Sequence, residues 1–190
     1  MIDLKDCIIT RHSVRKYAEK KLSKEVILDL LETAVKAPTA TNSQPWAFTI
    51  IQDINLLQEI STAGKKDVLT LISQADTPLK KYSKLMSDEN FNLFYNAETL
   101  IIISGKTETL HPIEDCSLVA QNLMLYAHNQ GLGTCWIGFA THYLNSAEMK
   151  EKLNIPPNYN VIAPIIVGYP EKNQPPIPKK DPQILNWLLY

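Results

Sequence analysis

The sequence predicts an α+β fold, and two observations carry that expectation. Five or more segments place apolar residues at helical spacing, whereas only three short runs have β-branched, strand-like character. The chain's 190 residues are 45% hydrophobic and 21% charged, an ordinary balance for a globular domain and enough for one sizeable core.

The first helix is expected from Ile2 to about Ile9. The second runs from Lys24 to Lys36, with Ser23 as N-cap and Val26, Ile27, Leu30, Leu31 and Ala34 on its inner face. Pro38 ends it, because the residue before a proline is pushed out of the α region. Trp46 to Ile51 is aromatic and β-branched and reads as a strand; Asp53 then caps a helix that turns Leu56, Leu57 and Ile60 inward. Residues 62–95 are weakly patterned and read as one or two surface helices. Thr99 to Ser104, bounded by Gly105, has the profile of a buried strand. A long helix spans Ile113 to Asn129 and stops at Gly131. Ser146 caps a further helix to Leu153, and Asn160 to Val167 is a third strand whose Pro164 requires an edge or a bulge. Residues 1–170 are expected to form one domain, and 171–190 an extended tail set by its prolines.

Several function classes are excluded. With 19 Lys and Arg against 20 Asp and Glu, the chain has no general grip on nucleic acid or an anionic membrane, so an anion site must be local. No apolar run approaches the ~20 residues needed to cross a bilayer. The acidic N-terminus lacks the apolar region of a secretory signal, so a cytoplasmic location is expected. Cys7, Cys116 and Cys135 are far apart and read as small buried hydrophobes rather than as disulfide or metal ligands. Gly105-Lys106-Thr107 lacks the first glycine of a P-loop, and Gly131-Leu132-Gly133 follows a helix, not a strand, so neither is a nucleotide fingerprint. No catalytic triad or metal spacing is present.

Three segments remain. In Arg11-His12-Ser13-Val14-Arg15, positions 11, 13 and 15 share one face of an extended chain. Two guanidinium forks and a hydroxyl there suit a phosphate, although basic residues also complement a helix C-terminus. Ala37 to Trp46 is an amide-rich loop framed by prolines that could bind a polyhydroxyl chain or a heteroaromatic edge, or form a simple Asn/Ser turn. Gly131 to Phe139 holds three of the six glycines, which permits close approach of backbone to a ligand or a crowded turn.

In order and spacing, these segments resemble the nitroreductase family of flavin mononucleotide (FMN) enzymes. R-H-S-V-R is similar to its phosphate motif, A-P-T-A-T-N-S-Q-P-W to its second signature, G-L-G-T-C-W-I-G to the segment against the isoalloxazine ring, and V-G-Y-P with I-P-K-K to its C-terminal flavin contact. The resemblance implies a three-layer α-β-α sandwich with a mixed sheet flanked by helices, dimeric, with the flavin at the subunit interface. It further implies that Arg11 and Ser13 hold the phosphate with the His12 backbone, helped by Lys179 or Lys180 from the tail. Arg15 would lie near flavin N1 and O2, where a cation favours reduction. Asn42 and Gln44 would bind the ribityl chain or pyrimidine edge, and the amides of Ile137 and Gly138 would face N5 and O4. No metal and no catalytic side chain are implied, since the flavin does the chemistry. The implied activity is hydride transfer from NADH or NADPH to an acceptor such as a nitroaromatic or quinone. Alternatives are a non-catalytic flavin-binding module, or a relative diverged to dehalogenation or dehydrogenation. The apolar end, Ile184 to Tyr190, suits packing on a partner subunit.

Overall fold

The structure, a computed structural model, describes residues 3–171 and 178–189 of the chain. Leu4–Thr10 forms α1, Lys24–Ala34 α2, Trp46–Ile51 β1, Ile54–Gln74 α3 and Ser83–Ser87 α4. Leu100–Lys106 then forms β2, Pro112–Asn129 α5, Gly133–Trp136 β3, Thr141–Leu144 α6, Ala147–Lys152 α7 and Tyr159–Gly168 β4. The capping residues act as their chemistry requires. Ser23 accepts from the Val26 amide at 3.4 Å, Asp53 from Asn55 and Leu56 at 2.9 and 3.1 Å, and Ser146 from Met149 at 3.2 Å. The expected first residue of α1, Ile2, lies outside the described residues. The second helix closes at Ala34, two residues early, because Lys36 and Ala37 fold into i+3 turns ahead of Pro38.

The strands form one sheet in the order β1-β2-β4-β3. A mixed sheet was expected, but all three strand pairs are antiparallel. Among the described residues, parallel pairing is confined to an isolated bridge between Ser13 and Thr134, because the segment leaving α1, rather than a crossover strand, lies along β3.

Alternation within β2 builds the three layers. Leu100 and Ile102 turn into a cluster with Leu57, Ile60 and Val68 of α3, Met86 of α4, Leu144 of α6 and Met149 of α7. Ile101 and Ile103 turn the other way, onto Ile27 and Leu30 of α2 and Val119, Ala120 and Leu123 of α5. All four of these β2 side chains are 0% exposed, which is why the strand reads as an unbroken apolar run.

Strand β4 is interior, so Pro164 is not at an edge. Its missing amide is tolerated because the β3 ladder ends at Trp136–Ile165, and the next step offers one bond, from the Ile137 amide to the Pro164 carbonyl at 2.8 Å. A register shift between Ile103 and Ser104 places a bulge close by.

Residues 62–95 differ most from expectation. Helices are present there and most of the stretch is exposed or half-buried, but α3 continues unbroken to Gln74 and buries Gly64, Lys65 and Val68 within it. Two of those three are charged or lack a side chain, so the buried stripe carries almost no hydrophobic signal. Lys65 donates to the carbonyls of Asp88 and Phe91, both at 2.7 Å, and thereby pins the loop that leads to Tyr95. Residues 178–189 contain no helix or strand and are exposed.

Candidate functional site

The segment after α1 is extended and fastened along β3. The Val14 amide donates to the Thr134 carbonyl at 2.9 Å, and the Tyr17 hydroxyl donates to the Val14 carbonyl at 2.8 Å. Val14 is buried, and Gly133 makes room for it: a Cβ on Gly133 would stand 2.8 Å from three atoms of the valine side chain. With Val14 turned inward, alternation puts Arg11, Ser13 and Arg15 on the other face.

These residues meet around Cys135. The Ser13 hydroxyl engages the Cys135 thiol, and Arg11 and Arg15 both act on it electrostatically; burial nevertheless dominates and pushes that thiol up from its ordinary range. Arg15 lies 5.8 Å from the Tyr95 ring centre and hydrogen-bonds its hydroxyl, while burial raises that phenol. Arg15, Tyr95, Cys135, Trp136, Ile137 and Gly138 line a cavity of about 460 Å³, together with Tyr82, Phe139, His142 and the apolar residues Val68, Leu71, Leu79 and Leu93.

Beside this cavity the side chain of Arg11 carries an unmet demand. Arg11 Nη1 and His12 Nε2 are buried and have no hydrogen-bond partner. The other ring nitrogen of His12, Nδ1, donates to the Thr10 carbonyl at 3.0 Å. A buried guanidinium nitrogen without an acceptor is costly, and an anion is the group that removes the cost. The residues therefore fit a phosphate.

The structure thus brings together Arg11, His12, Ser13 and Arg15, and joins Arg15 to Ile137 and Gly138 in one cavity. Two expected amides reduce to one, because the Ile137 N–H is committed to Pro164. Gly138 has open space where a side chain would stand and is the position that leaves backbone accessible.

Asn42 and Gln44 are elsewhere in this chain. Their side chains bond each other at 2.9 Å, in a loop where Thr41, Asn42 and Gln44 all have positive φ, at 53°, 55° and 45°. Asp115, buried in the first turn of α5, holds that loop by accepting from the Ala40 amide at 2.9 Å and the Ser43 hydroxyl at 3.1 Å. His12 packs instead near His128, 13 residues further along α5, or about 20 Å at 1.5 Å per residue. Lys179 and Lys180 are exposed in the tail.

Sequence reasoning missed Asp115, Tyr95, Tyr82, Phe139 and the pair formed by His142 and Asp67. An acid in the first turn of a helix reads as a dipole complement, so the role of Asp115 was hidden in plain view. The others lie in or against the weakly patterned region. Among the described residues no helix is long and apolar enough to cross a membrane, and no group of three or more His, Cys, Asp or Glu could hold a metal ion.

Comparison with known proteins places this geometry in context. A protein of Archaeoglobus fulgidus, provisionally named NADH dehydrogenase/NAD(P)H nitroreductase, is 28% identical over 170 residues, covering 86% of this chain and 83% of the relative. The iodotyrosine deiodinase of Thermotoga neapolitana is 23% identical, covering 94% of each chain. The crystal structure of a nitroreductase with bound FMN from Bacteroides fragilis superposes with a TM-score of 0.82 at 22% identity over 100% of both chains. The Nitroreductase family matches residues 8–169, a span that holds the Arg11–Arg15 segment, the Asn42 loop and the β3 cavity alike, and the chain belongs to that family.

Proposed function

We propose that the protein is an FMN-dependent oxidoreductase that passes hydride from NADH or NADPH to a small electrophilic acceptor, such as a nitroaromatic or a quinone. The observation that carries this reading is the buried, unpartnered guanidinium nitrogen of Arg11, set beside the cavity where Arg15 meets Gly138. Arg11 and Ser13 would hold the phosphate, with Lys179 or Lys180 returning from the tail. Arg15 would lie against the electron-poor end of the ring system, where its fixed charge favours the anionic reduced state. Gly138 would offer its amide, and the apolar wall of Leu71, Leu79, Tyr82 and Phe139 would exclude water from the acceptor. Bound FMN supplies the two-electron exchange between nicotinamide and acceptor.

A homodimer with the flavin at the subunit interface completes this reading. Asn42 and Gln44 stand near one end of α5 and Arg11 near the other, so a single chain does not set them side by side. A second copy related by a two-fold axis can do so. Leu4 and Ile8 of α1 and Ile113 and Leu118 of α5 are exposed apolar residues on the helices such a pairing would use. Residues 171–190 would then pack as a tail on the partner.

Stopped-flow mixing with NADH and NADPH tests the activity. Bleaching of the bound flavin followed by reoxidation with 4-nitrobenzoate or benzoquinone supports it; a yellow protein inert to both nicotinamides contradicts it. Because an iodotyrosine deiodinase matches over nearly the whole chain, 3-iodotyrosine is the acceptor that tests a dehalogenating variant of the same chemistry.

A further inference from the structure

The cavity of the proposed active site holds few groups able to give up a proton. Arg15 is a permanent cation. Burial pushes both the Tyr95 phenol and the Cys135 thiol up, away from proton donation near neutrality. Tyr82 is packed edge-on against Phe139, with ring centres 5.0 Å apart, and its ring faces Lys81 at 5.1 Å. Among the titratable residues of the lining, His142 is the one whose side chain type ordinarily titrates closest to neutrality.

His142 is also held in a defined state. It stands on α6, and its Nδ1 meets the Asp67 carboxylate of α3 at 2.7 Å. A carboxylate can only accept, so Nδ1 carries the hydrogen and Nε2 is the nitrogen left to meet whatever enters the cavity. A proton can leave from Nε2 only when the ring carries a hydrogen on both nitrogens, as the imidazolium. Asp67 is the less exposed partner, at 21% against 64% for the His142 side chain. The imidazole therefore reaches both the cavity and solvent, as a proton relay must.

We infer that His142 is the catalytic proton donor to the acceptor, with Asp67 as its positioning residue. The inference rests on the activity proposed above. Benzoquinone plus one hydride plus one proton gives hydroquinone. The hydride, two electrons with a proton, originates from NADH by way of the bound cofactor, and the second proton passes from His142 Nε2 to the quinone oxygen. Solvent then reprotonates the imidazole, so atoms and charge balance over a turnover.

The test compares two oxidants in the reaction of NADH-reduced protein. Benzoquinone needs a proton at the oxygen, whereas ferricyanide takes single electrons and needs none. His142→Gln keeps a polar side chain beside Asp67 but cannot relay a proton, and general acid catalysis is worth on the order of 10²-fold or more. We expect His142→Gln to slow oxidation by benzoquinone about a hundredfold and Asp67→Asn to slow it by a smaller factor, with ferricyanide rates unchanged in both. A second readout is independent of turnover: hydroquinone added to the FMN-loaded protein should shift the ¹⁵N resonance of His142 Nε2. A yellow, NADH-reducible His142→Gln protein that reacts with benzoquinone at the wild-type rate overturns the inference and leaves the proposed activity standing. An unmoved His142 resonance on addition of hydroquinone also overturns it. Protein that takes up no FMN overturns the reading of the site together with this inference.

Discussion

Burial draws the imidazole of His128 below its ordinary pKa of 6.5, and repulsion from His12 and Arg11 acts in the same direction. Because the folded value lies below the unfolded one, the neutral ring contributes stability that is fully present above pH 6.5 and is lost as pH falls through the depressed value. Removing the imidazole removes that part of the acid sensitivity. Between pH 8 and pH 5, the melting temperature of the protein without added FMN should fall further for the wild type than for His128→Gln; parallel curves would count against the coupling. The same residue scale decides what could be read in advance. Arg11, Ser13 and Arg15 were legible because the extended-chain period of two puts them on one face whatever surrounds them. Their convergence on Cys135 was not, since it depends on β3. Asp115 and the His142–Asp67 pair were illegible for a related reason: each acts on a residue more than 70 positions away.

At the scale of elements, signals written into a few neighbouring residues held and those spread across the fold did not. Ser23, Asp53 and Ser146 announce their helices because a cap is a local contact. The first strand was readable from Trp46 to Ile51 because its side chains alone carry the preference. Strand β3 escaped notice: it has four residues, starts at a glycine, and is a strand only because Val14 on one side and β4 on the other pair with it. Helix α3 was cut short in the reading because Ser61, Gly64 and Lys65 occupy its buried stripe. Gly133 is the joint between β3 and the Arg11–Arg15 segment. A Gly133→Ala substitution forces a methyl into Val14 at 2.8 Å, and overpacking of this kind costs about 1–3 kcal/mol. Urea denaturation should register that loss, and FMN titration should register weaker binding because the displaced segment carries Arg11, Ser13 and Arg15. Unchanged affinity in a destabilised variant would separate β3 packing from the site.

For the whole molecule, the distance along α5 between the Asp115 loop and His128 is the ground for the homodimer proposed above. The tail bears on the same point. Leu185 and Trp187 are 81% and 74% exposed, and covering one large apolar side chain is worth about 1.5–3 kcal/mol. Truncation after Pro182 should therefore weaken self-association at least about tenfold in sedimentation equilibrium, and an unaltered profile would remove the tail from the interface. The α+β class was legible because apolar periodicity is a global signal, whereas the three layers came only from the family resemblance. The sense of strand pairing was not legible, because it depends on which segment lies beside β3.

The most direct measurement is a visible-spectrum titration of FMN into the purified protein and its Arg11→Ala variant. The account predicts uptake of one FMN per chain with a perturbed flavin band. It also predicts roughly ten- to a hundredfold weaker binding in the variant, the loss of one charge-assisted contact worth about 1.5–3 kcal/mol. A colourless protein whose flavin spectrum stays that of free FMN, or a variant that binds as tightly as the wild type, would contradict it.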